Sequence, residues 1–271
     1  MNNEHQLKVE HITAGYDGRT ILKDIELAIP VNKISVILGA NACGKSTLLK
    51  TIARLLKPSS GKITLDGKGI WTFPSKHLAR VLGLLPQSPV VPEGIVVADL
   101  VSRGRFPYQG LMKGLSREDH AAVAEALEIM GITNLADRRL DELSGGQKQR
   151  VWIAMALAQD TDILLLDEPT TYLDITYQVE ILDLLTDLNR KKGTTIVMVL
   201  HDINLSARYA DYIFALREGC LVSEGTPSEV INEELIKEVY GMNCSVISDP
   251  VSGSPFVLPK GRHHVLDSCL A

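Results

Sequence analysis

The chain has 271 residues, of which 45% are hydrophobic and 23% charged, and its formal net charge at pH 7 is −5. This ordinary globular composition excludes a disordered or fibrous design, and the length fits one large α/β domain with an added subdomain. The weakly acidic balance supplies no basic field and argues against nucleic acid as a partner. Any bound anion must therefore be held by a local arrangement of residues.

The sequence predicts neither a membrane span nor a secretory leader. Its longest apolar runs, such as residues 163–166, have the length of strands, far short of the roughly 20 residues that cross a bilayer. The N-terminal residues lack the basic and then apolar layout of a signal peptide. The four cysteines fit neither metal-ligand nor disulfide spacing, and we expect them to be small buried or incidental residues: Cys43, Cys220, Cys244 and Cys269.

The first quarter of the chain is predicted to be mostly strand. Strand patterns cover residues 7–13, 21–29, 34–38 and 62–65. The exception is a predicted helix over residues 45–56, which has helical apolar spacing and ends before Pro58. A strand, a glycine turn and a helix therefore follow one another.

The middle of the chain is predicted to be helical and the remainder alternating. From residue 96 to 159 no strand pattern occurs, and helices are predicted over 121–130 and 145–159. Beyond this stretch, three strands alternate with two helices in the rhythm of a parallel sheet, and a short hairpin and a tail follow Tyr240. The predicted strands are 163–166, 195–200 and 212–216, and the predicted helices are 175–192 and 203–210.

A phosphate-binding loop is predicted between the strand at 34–38 and the helix that follows. Its sequence GANACGKST matches G-x-x-x-x-G-K-[ST] in the required strand and helix context. Backbone N–H groups of such a loop wrap phosphate oxygens, while Lys45 reaches the β/γ-phosphates, Ser46 binds Mg²⁺ and Thr47 lies near the α-phosphate. The loop residues are Gly39, Ala40, Asn41, Ala42, Cys43, Gly44, Lys45, Ser46 and Thr47.

Two carboxylates end the buried strand at 163–166. Asp167 and Glu168 stand where ligands collect in open parallel sheets, at the carboxyl end of a strand. Asp167 is predicted to hold the Mg²⁺ shell, and Glu168 to orient and deprotonate the attacking water. The alternative is a surface Asp-Glu turn before Pro169, which the neighbouring phosphate loop disfavours because the two motifs support each other.

A second turn of phosphate-binding shape opens the predicted helix at 145–159. In the sequence LSGGQ, Ser144 can cap the helix, while Gly145 and Gly146 expose backbone donors. Capping explains the serine. It does not explain why one chain needs two such turns.

With these motifs together, the chain resembles the ATP-binding subunits of ABC transporters over about residues 7 to 260. The resemblance implies that Ser144, Gly145, Gly146 and Gln147 bind the γ-phosphate of ATP held by a second copy, in a head-to-tail dimer. It further assigns Tyr16 to adenine stacking, Gln87 to catalysis and the Mg²⁺ shell, Asp174 to the D-loop and His201 to the γ-phosphate. Many ABC loops carry Pro at the position of Ala40 and Gly at that of Ala42, so Ala42 is expected to have a backbone angle that alanine tolerates.

The implied fold is an α/β P-loop NTPase core with a mainly parallel sheet, an N-terminal antiparallel β subdomain and an inserted helical subdomain. The whole chain is then a single ABC ATPase domain. Its core spans 7–87 and 160–245, its helical subdomain 88–159, and its C-terminal hairpin and tail 246–271.

The segments SRGRFPYQG, TTYLDI and DPVSGSPFVLPKGR resemble the ATPases of iron-siderophore importers, whose relatives move haem and cobalamin. The stretch after His201 is too short for the regulatory domain that sugar importers append. The resemblance implies ATP and Mg²⁺ as ligands, membrane permease subunits and a substrate-binding protein as partners, and a peripheral position on the cytoplasmic side of the membrane. Haem, cobalamin or another substrate stays open, as does a soluble ABC ATPase that acts on a macromolecule.

Overall fold

The computed structural model describes residues 4–87, 89, 92–110, 114–171, 173–261 and 263. The strands are β1 (Leu7–Tyr16), β2 (Arg19–Ala28), β3 (Ile34–Gly39), β4 (Ser60–Leu65), β5 (Lys68–Gly69), β6 (Leu82–Leu85), β7 (Ile163–Asp167), β8 (Thr195–Val199), β9 (Tyr212–Arg217), β10 (Cys220–Gly225), β11 (Cys244–Ser248) and β12 (Pro255–Pro259). The α-helices are α1 (Lys45–Ile52), α2 (Ser75–Val81), α3 (Val97–Ser102), α4 (Arg117–Ile129), α5 (Gly145–Ala158), α6 (Ile175–Lys192), α7 (Ile203–Tyr209), α8 (Pro227–Val230) and α9 (Glu233–Tyr240). Within the ranges given, none of the helices is both long and apolar enough to cross a membrane.

A six-stranded sheet in the order β10-β9-β3-β8-β7-β6 forms the centre of the fold. All neighbouring strands pair in parallel except β10, which runs antiparallel to β9. Every residue of β3, β7 and β8 is buried, which explains their continuous apolar sequences, since both faces of the sheet are covered. The carboxyl ends of β3 and β7 lie at one edge of this sheet, separated by β8.

A second, antiparallel sheet in the order β2-β1-β4-β5 covers one side of the molecule. Its buried side chains form one core with α1 and the face of the central sheet that carries Ile37 and Val197. Helix α1 is therefore enclosed between two sheets, which fixes the direction of its N-terminus.

The opposite face of the central sheet shares a core with α3, α4, α5 and α6. Between residues 97 and 158 the regular elements that the structure describes are helices and short 3₁₀ turns, apart from a bridge between Arg139 and Val96. A buried ion pair ties the 3₁₀ turn Arg103–Arg105 to α4, because Arg105 Nε lies 2.8 Å from an oxygen of Asp119. Burial opposes ionisation of Asp119, but the hydrogen bond from Arg105 prevails and lowers the pKa of this carboxyl.

The predicted fold class is confirmed: a mainly parallel sheet, an antiparallel N-terminal sheet and helices occur together. The predicted helix over 45–56 is wrong at its end, since α1 stops at Ile52 and Arg54 has a left-handed φ of 60°. Sequence patterns also missed β6, β10, α2 and α9. The C-terminal hairpin is present as β11 and β12, whereas the tail from residue 264 and Cys269 lie outside the described residues.

Candidate nucleotide site

The loop between β3 and α1 is shaped by two glycines that no other residue could replace without movement. A Cβ on Gly39, whose φ is 154°, would lie 2.4 Å from the carbonyl oxygen of Leu216 and 2.5 Å from Cys43 Sγ. A Cβ on Gly44, with φ 109°, would lie 2.8 Å from the side chain of Leu22. The loop is thus closely packed from behind.

Lys45 is buried at the first turn of α1, and its ammonium group points back into the loop. Its Nζ donates to the carbonyl oxygens of Gly39 at 2.7 Å and Ala40 at 3.0 Å. An ammonium has three donors, so these two bonds leave one for a phosphate oxygen. The loop backbone therefore positions the lysine charge before any nucleotide arrives.

Ala42 corrects one expectation. Its φ is 62°, in the left-handed region, which alanine adopts only at a steric cost. The conformation needed here is one that glycine supplies readily, and this chain adopts it with alanine.

Ser46 and Asp167 meet although 121 positions separate them in sequence. The hydroxyl of Ser46 donates to Asp167 Oδ1 at 2.8 Å, and Asp167 is 3% exposed. Burial raises the pKa of Asp167 and the neighbouring Glu168 adds to this, while the bond from Ser46 acts in the opposite direction. A hydroxyl beside a carboxylate is a donor set that suits the hard oxygen preference of Mg²⁺.

Glu168 ends in a cluster of hydrogen-bond donors. Its carboxylate lies 2.7 Å from His201 Nε2, and it accepts from Gln87 Nε2 at 2.6 Å and Thr171 Oγ1 at 2.9 Å. Burial alone would raise the pKa of Glu168, but these donors, led by His201, together lower it. The carboxylate is therefore ionised at neutral pH and held in one place.

The backbone of Glu168 is also unusual, since its φ of 56° is left-handed for a non-glycine residue. Such conformations cost of order 1–3 kcal/mol and persist where surrounding contacts enforce them. The three donors supply such contacts. Sequence reasoning missed Thr171, although its position three residues after the glutamate could have signalled a local side-chain contact.

The amide nitrogen of Gln87 donates a hydrogen bond to Glu168, whereas the hydroxyl of Ser46 donates to Asp167. Two residues of the predicted Mg²⁺ shell, Gln87 and Ser46, thus bond to two carboxylates that are adjacent in sequence. Asp167 is the last residue of β7 and Glu168 follows it, while Gln87 follows β6, the strand beside it.

The cleft over the loop gathers most of the predicted nucleotide residues. Its described lining consists of Ile21, Asn41, Ala42, Gly44, Lys45, Ser46, Thr47, Glu168 and His201. Ile21 on β2 was not predicted. Tyr16, half exposed at 42%, pairs with Arg19 at the end of the same β1–β2 hairpin.

The signature turn and Asp174 are not among the described residues that line this cleft. Ser144 caps α5 and exchanges hydrogen bonds with Gln147, and Asp174 caps α6 by accepting from the backbone of Tyr177. A Cβ on Gly146 would be in ordinary contact, at 3.5 Å, with the ring of Tyr177. These residues form a second group, joined to one another through Tyr177.

Comparison with known proteins places these features in a family. A family model described as ABC transporter matches residues 22–171. The ferric enterobactin transport ATP-binding protein FepC of Escherichia coli is 49% identical over 257 residues, which cover 95% of each chain. The petrobactin import ATP-binding protein FpuD of Bacillus anthracis is 48% identical over 94% of each chain. A dimeric structure of MJ0796, a bacterial ABC transporter cassette, superposes with a TM-score of 0.72 at 31% identity, covering 81% of this chain and 98% of that one.

The left-handed backbone of Ala42 yields a prediction about stability. We expect Ala42→Gly to raise the free energy of unfolding by about 1 kcal/mol, because glycine adopts this angle without steric cost. Thermal or urea unfolding without nucleotide measures the change. Ala40→Gly is the matched control, since Ala40 has no left-handed φ and should lose stability instead. A loss of stability in Ala42→Gly would contradict the assignment of strain.

Proposed function

The chain belongs to the ABC transporter family, and we propose that it is the ATP-hydrolysing subunit of an importer of iron(III)-siderophore complexes. The observation that carries the catalytic part is Glu168, an ionised carboxylate held by three donors in the cleft that the phosphate loop lines. The substrate class is supported by the names of relatives that share about half of its residues over nearly the whole chain.

Nucleotide binding begins with the loop from Gly39 to Thr47. Its backbone N–H groups and the N-terminus of α1 face the phosphates, and Lys45 adds a full positive charge from a fixed position. Thr47 lies at the α-phosphate and Tyr16 against the adenine ring. Since Lys45 is anchored beforehand, little of the binding energy is lost in ordering it.

Ser46 and Asp167 would hold the Mg²⁺ that accompanies ATP. Gln87, which bonds the adjacent Glu168, would complete the shell of the ion. When bound, the ion neutralises charge on the β- and γ-phosphates. The protein's own part is to present a hydroxyl and a carboxylate together, with the carboxylate oxygen already 2.8 Å from the serine.

Glu168 then acts as the base in hydrolysis. Its carboxylate accepts a proton from the attacking water, while His201 contacts the γ-phosphate and Gln87 orients the site. These residues contact one another in the structure, so a γ-phosphate that engages His201 changes the surroundings of Glu168 at the same time.

The separation of the signature group from the cleft supports a composite site. We assign Ser144, Gly145, Gly146, Gln147 and Asp174 to the nucleotide held by a second copy, in a head-to-tail dimer. The solved dimer of MJ0796 shows that a cassette of this fold can pair. The division into a core of 7–87 and 160–245, a helical subdomain of 88–159 and a C-terminal segment of 246–271 is part of this proposal, because it lets the signature group move separately.

The permease is proposed to dock beside Gln87, on residues 102–109 and the adjoining segment 89–92, of which residues 90 and 91 lie outside the described ranges. Arg105 anchors this loop to α4 and stacks 3.8 Å from the centre of the Tyr108 ring, while Arg80 of α2 donates to the carbonyl of Pro107. The loop thus contacts both α2 and α4. Phe106 stays 65% exposed at its tip, as expected of an interface anchor.

The first test concerns Glu168. We expect Glu168→Gln to keep ATP binding and lose nearly all hydrolysis, because an amide cannot accept the proton. In cells that lack the native gene, wild type should restore uptake of a labelled iron(III)-siderophore complex and the variant should not. Glu128→Gln, on the exposed face of α4, is the control and should behave as wild type.

Mg-ATP should also trap Glu168→Gln as a dimer in gel filtration. Wild-type turnover in the variant would remove Glu168 from the role of base. Restored uptake of haem or cobalamin, but not of iron(III)-siderophore, would correct the substrate. A chain that stays soluble when all permeases are present would favour an ATPase that acts on a macromolecule.

The second test concerns sharing of sites. Ser144→Arg and Lys45→Ala chains should each be inactive alone, because the first blocks the signature turn and the second removes the phosphate charge. A mixture should regain partial ATPase activity, since one composite site of the mixed dimer is intact. Turnover is measured against mixing ratio. Activity in pure Ser144→Arg, or a dead mixture in which mixed dimers are demonstrated, would contradict independent shared sites.

The third test concerns docking. We expect Phe106→Ala to keep the ATPase of the isolated subunit near wild type and to weaken assembly with the permease by at least about tenfold, as loss of a buried anchor does. Val251→Ala is the control, because Val251 is a similarly exposed apolar residue on the C-terminal hairpin. Copurification and uptake are the measurements. Undiminished assembly of Phe106→Ala would contradict this docking surface.

A further inference from the structure

Tyr240, the last residue of α9, contacts the phosphate loop from behind. The backbone N–H of Gly39 donates to the Tyr240 hydroxyl at 3.1 Å across 201 positions of sequence. Burial raises the pKa of this hydroxyl to about 12, although the bond from Gly39 opposes the shift. The phenol is therefore neutral at all ordinary pH values, and its oxygen is available as an acceptor.

Gly39 is the residue at which β3 changes into the loop, and both peptide groups beside its Cα are held by side chains. Its N–H is bound by Tyr240 and its C=O accepts from Lys45 Nζ at 2.7 Å. With a φ of 154° and no Cβ, glycine has few steric restrictions of its own. Strand pairing with Leu216 of β9 holds Gly39 on one side, and the two side chains add contacts at its N–H and C=O groups.

Helix α9 is well placed to act as a fixed support. Ile236 and Val239 are buried in the core, and Gly241 ends the helix with a φ of 67°. The hairpin that follows is fastened to α7, because the amide of Asn204 bonds both the N–H and the C=O of Val257. Since α7 begins two residues after His201, the C-terminal segment reaches the nucleotide site from two directions.

We propose that Tyr240 is a positioning residue for nucleotide binding, fixing Gly39 so that its carbonyl holds the Lys45 ammonium toward the phosphates. The inference rests on the proposed ATP-binding function and adds to it a residue far outside the loop motif. Tyr240 is not among the described residues that line the cleft over the loop. It acts through Gly39 and Lys45.

Packing alone would give a different result from positioning. A tyrosine that only fills the core can lose its hydroxyl with little consequence for the loop, because the ring makes the apolar contacts. Here the hydroxyl is the partner of a backbone N–H, and its removal leaves that donor unpaired next to the residue that anchors Lys45.

The test is Tyr240→Phe in the full chain. We expect the KM and the equilibrium Kd for Mg-ATP to rise together by about three- to tenfold, the effect of losing one hydrogen bond. The kcat should stay within about twofold, since Glu168 and its donors are unchanged. Hydrogen exchange at the Gly39 amide should accelerate in the variant.

Two controls separate positioning from general loosening. Tyr209→Phe loses a hydroxyl that bonds Asp183 on α6, away from the loop, and should change neither KM nor Kd. Asn204→Ala loosens the hairpin without touching Gly39. The proposal is overturned if Tyr240→Phe leaves KM and Kd unchanged, or if Asn204→Ala raises both as much as Tyr240→Phe does.

The remaining outcomes are also decisive. If Tyr240→Phe does not fold, rapid exchange of the Gly39 amide in wild type would refute the contact, and slow exchange would support it. A wild-type chain that binds Mg-ATP without hydrolysing it would contradict the proposed function, yet the Kd comparison would still decide the role of Tyr240.

Discussion

The turn from β3 into α1 is the constraint on which the rest of the site depends. Phosphates need several backbone N–H groups aimed at one point, and only a chain with glycines at its tightest positions can form that turn. Gly39 has no room for a side chain against the backbone of Leu216, and Gly44 has a φ of 109° that other residues rarely adopt. Two sheets enclose α1, so the turn cannot relax and the N-terminus of the helix keeps its direction.

The parallel sheet brings the acidic residues to this turn. Because β3, β8, β7 and β6 run side by side in one direction, the residues after them meet at one edge. Asp167 reaches Ser46, and Glu168 collects Gln87, Thr171 and His201. Residues from four distant parts of the sequence therefore share one cleft without any long excursion of the backbone.

Much of this arrangement could be predicted from sequence, for reasons that differ between residues. The sequences of β3 and β7 are continuous apolar runs that predict buried strands. The phosphate loop and Asp167 could therefore be placed at the carboxyl ends of these strands. The left-handed angles of Ala42 and Glu168 could not, because alanine and glutamate do not favour them and only tertiary contacts enforce them. Thr171 and Tyr240 were missed for a related reason. The role of each hydroxyl depends on a hydrogen-bond partner that the local sequence pattern does not reveal.

The three donors around Glu168 also bear on how this carboxylate can act as a base. A carboxylate has about four lone-pair sites, so the histidine, the amide and the hydroxyl occupy three of them and leave one for an incoming proton. The two donors from other parts of the chain, Gln87 and His201, are themselves proposed parts of the catalytic site. Any movement of either side chain toward the phosphates would therefore change the number of donors on Glu168, and with it the proton affinity of the proposed base.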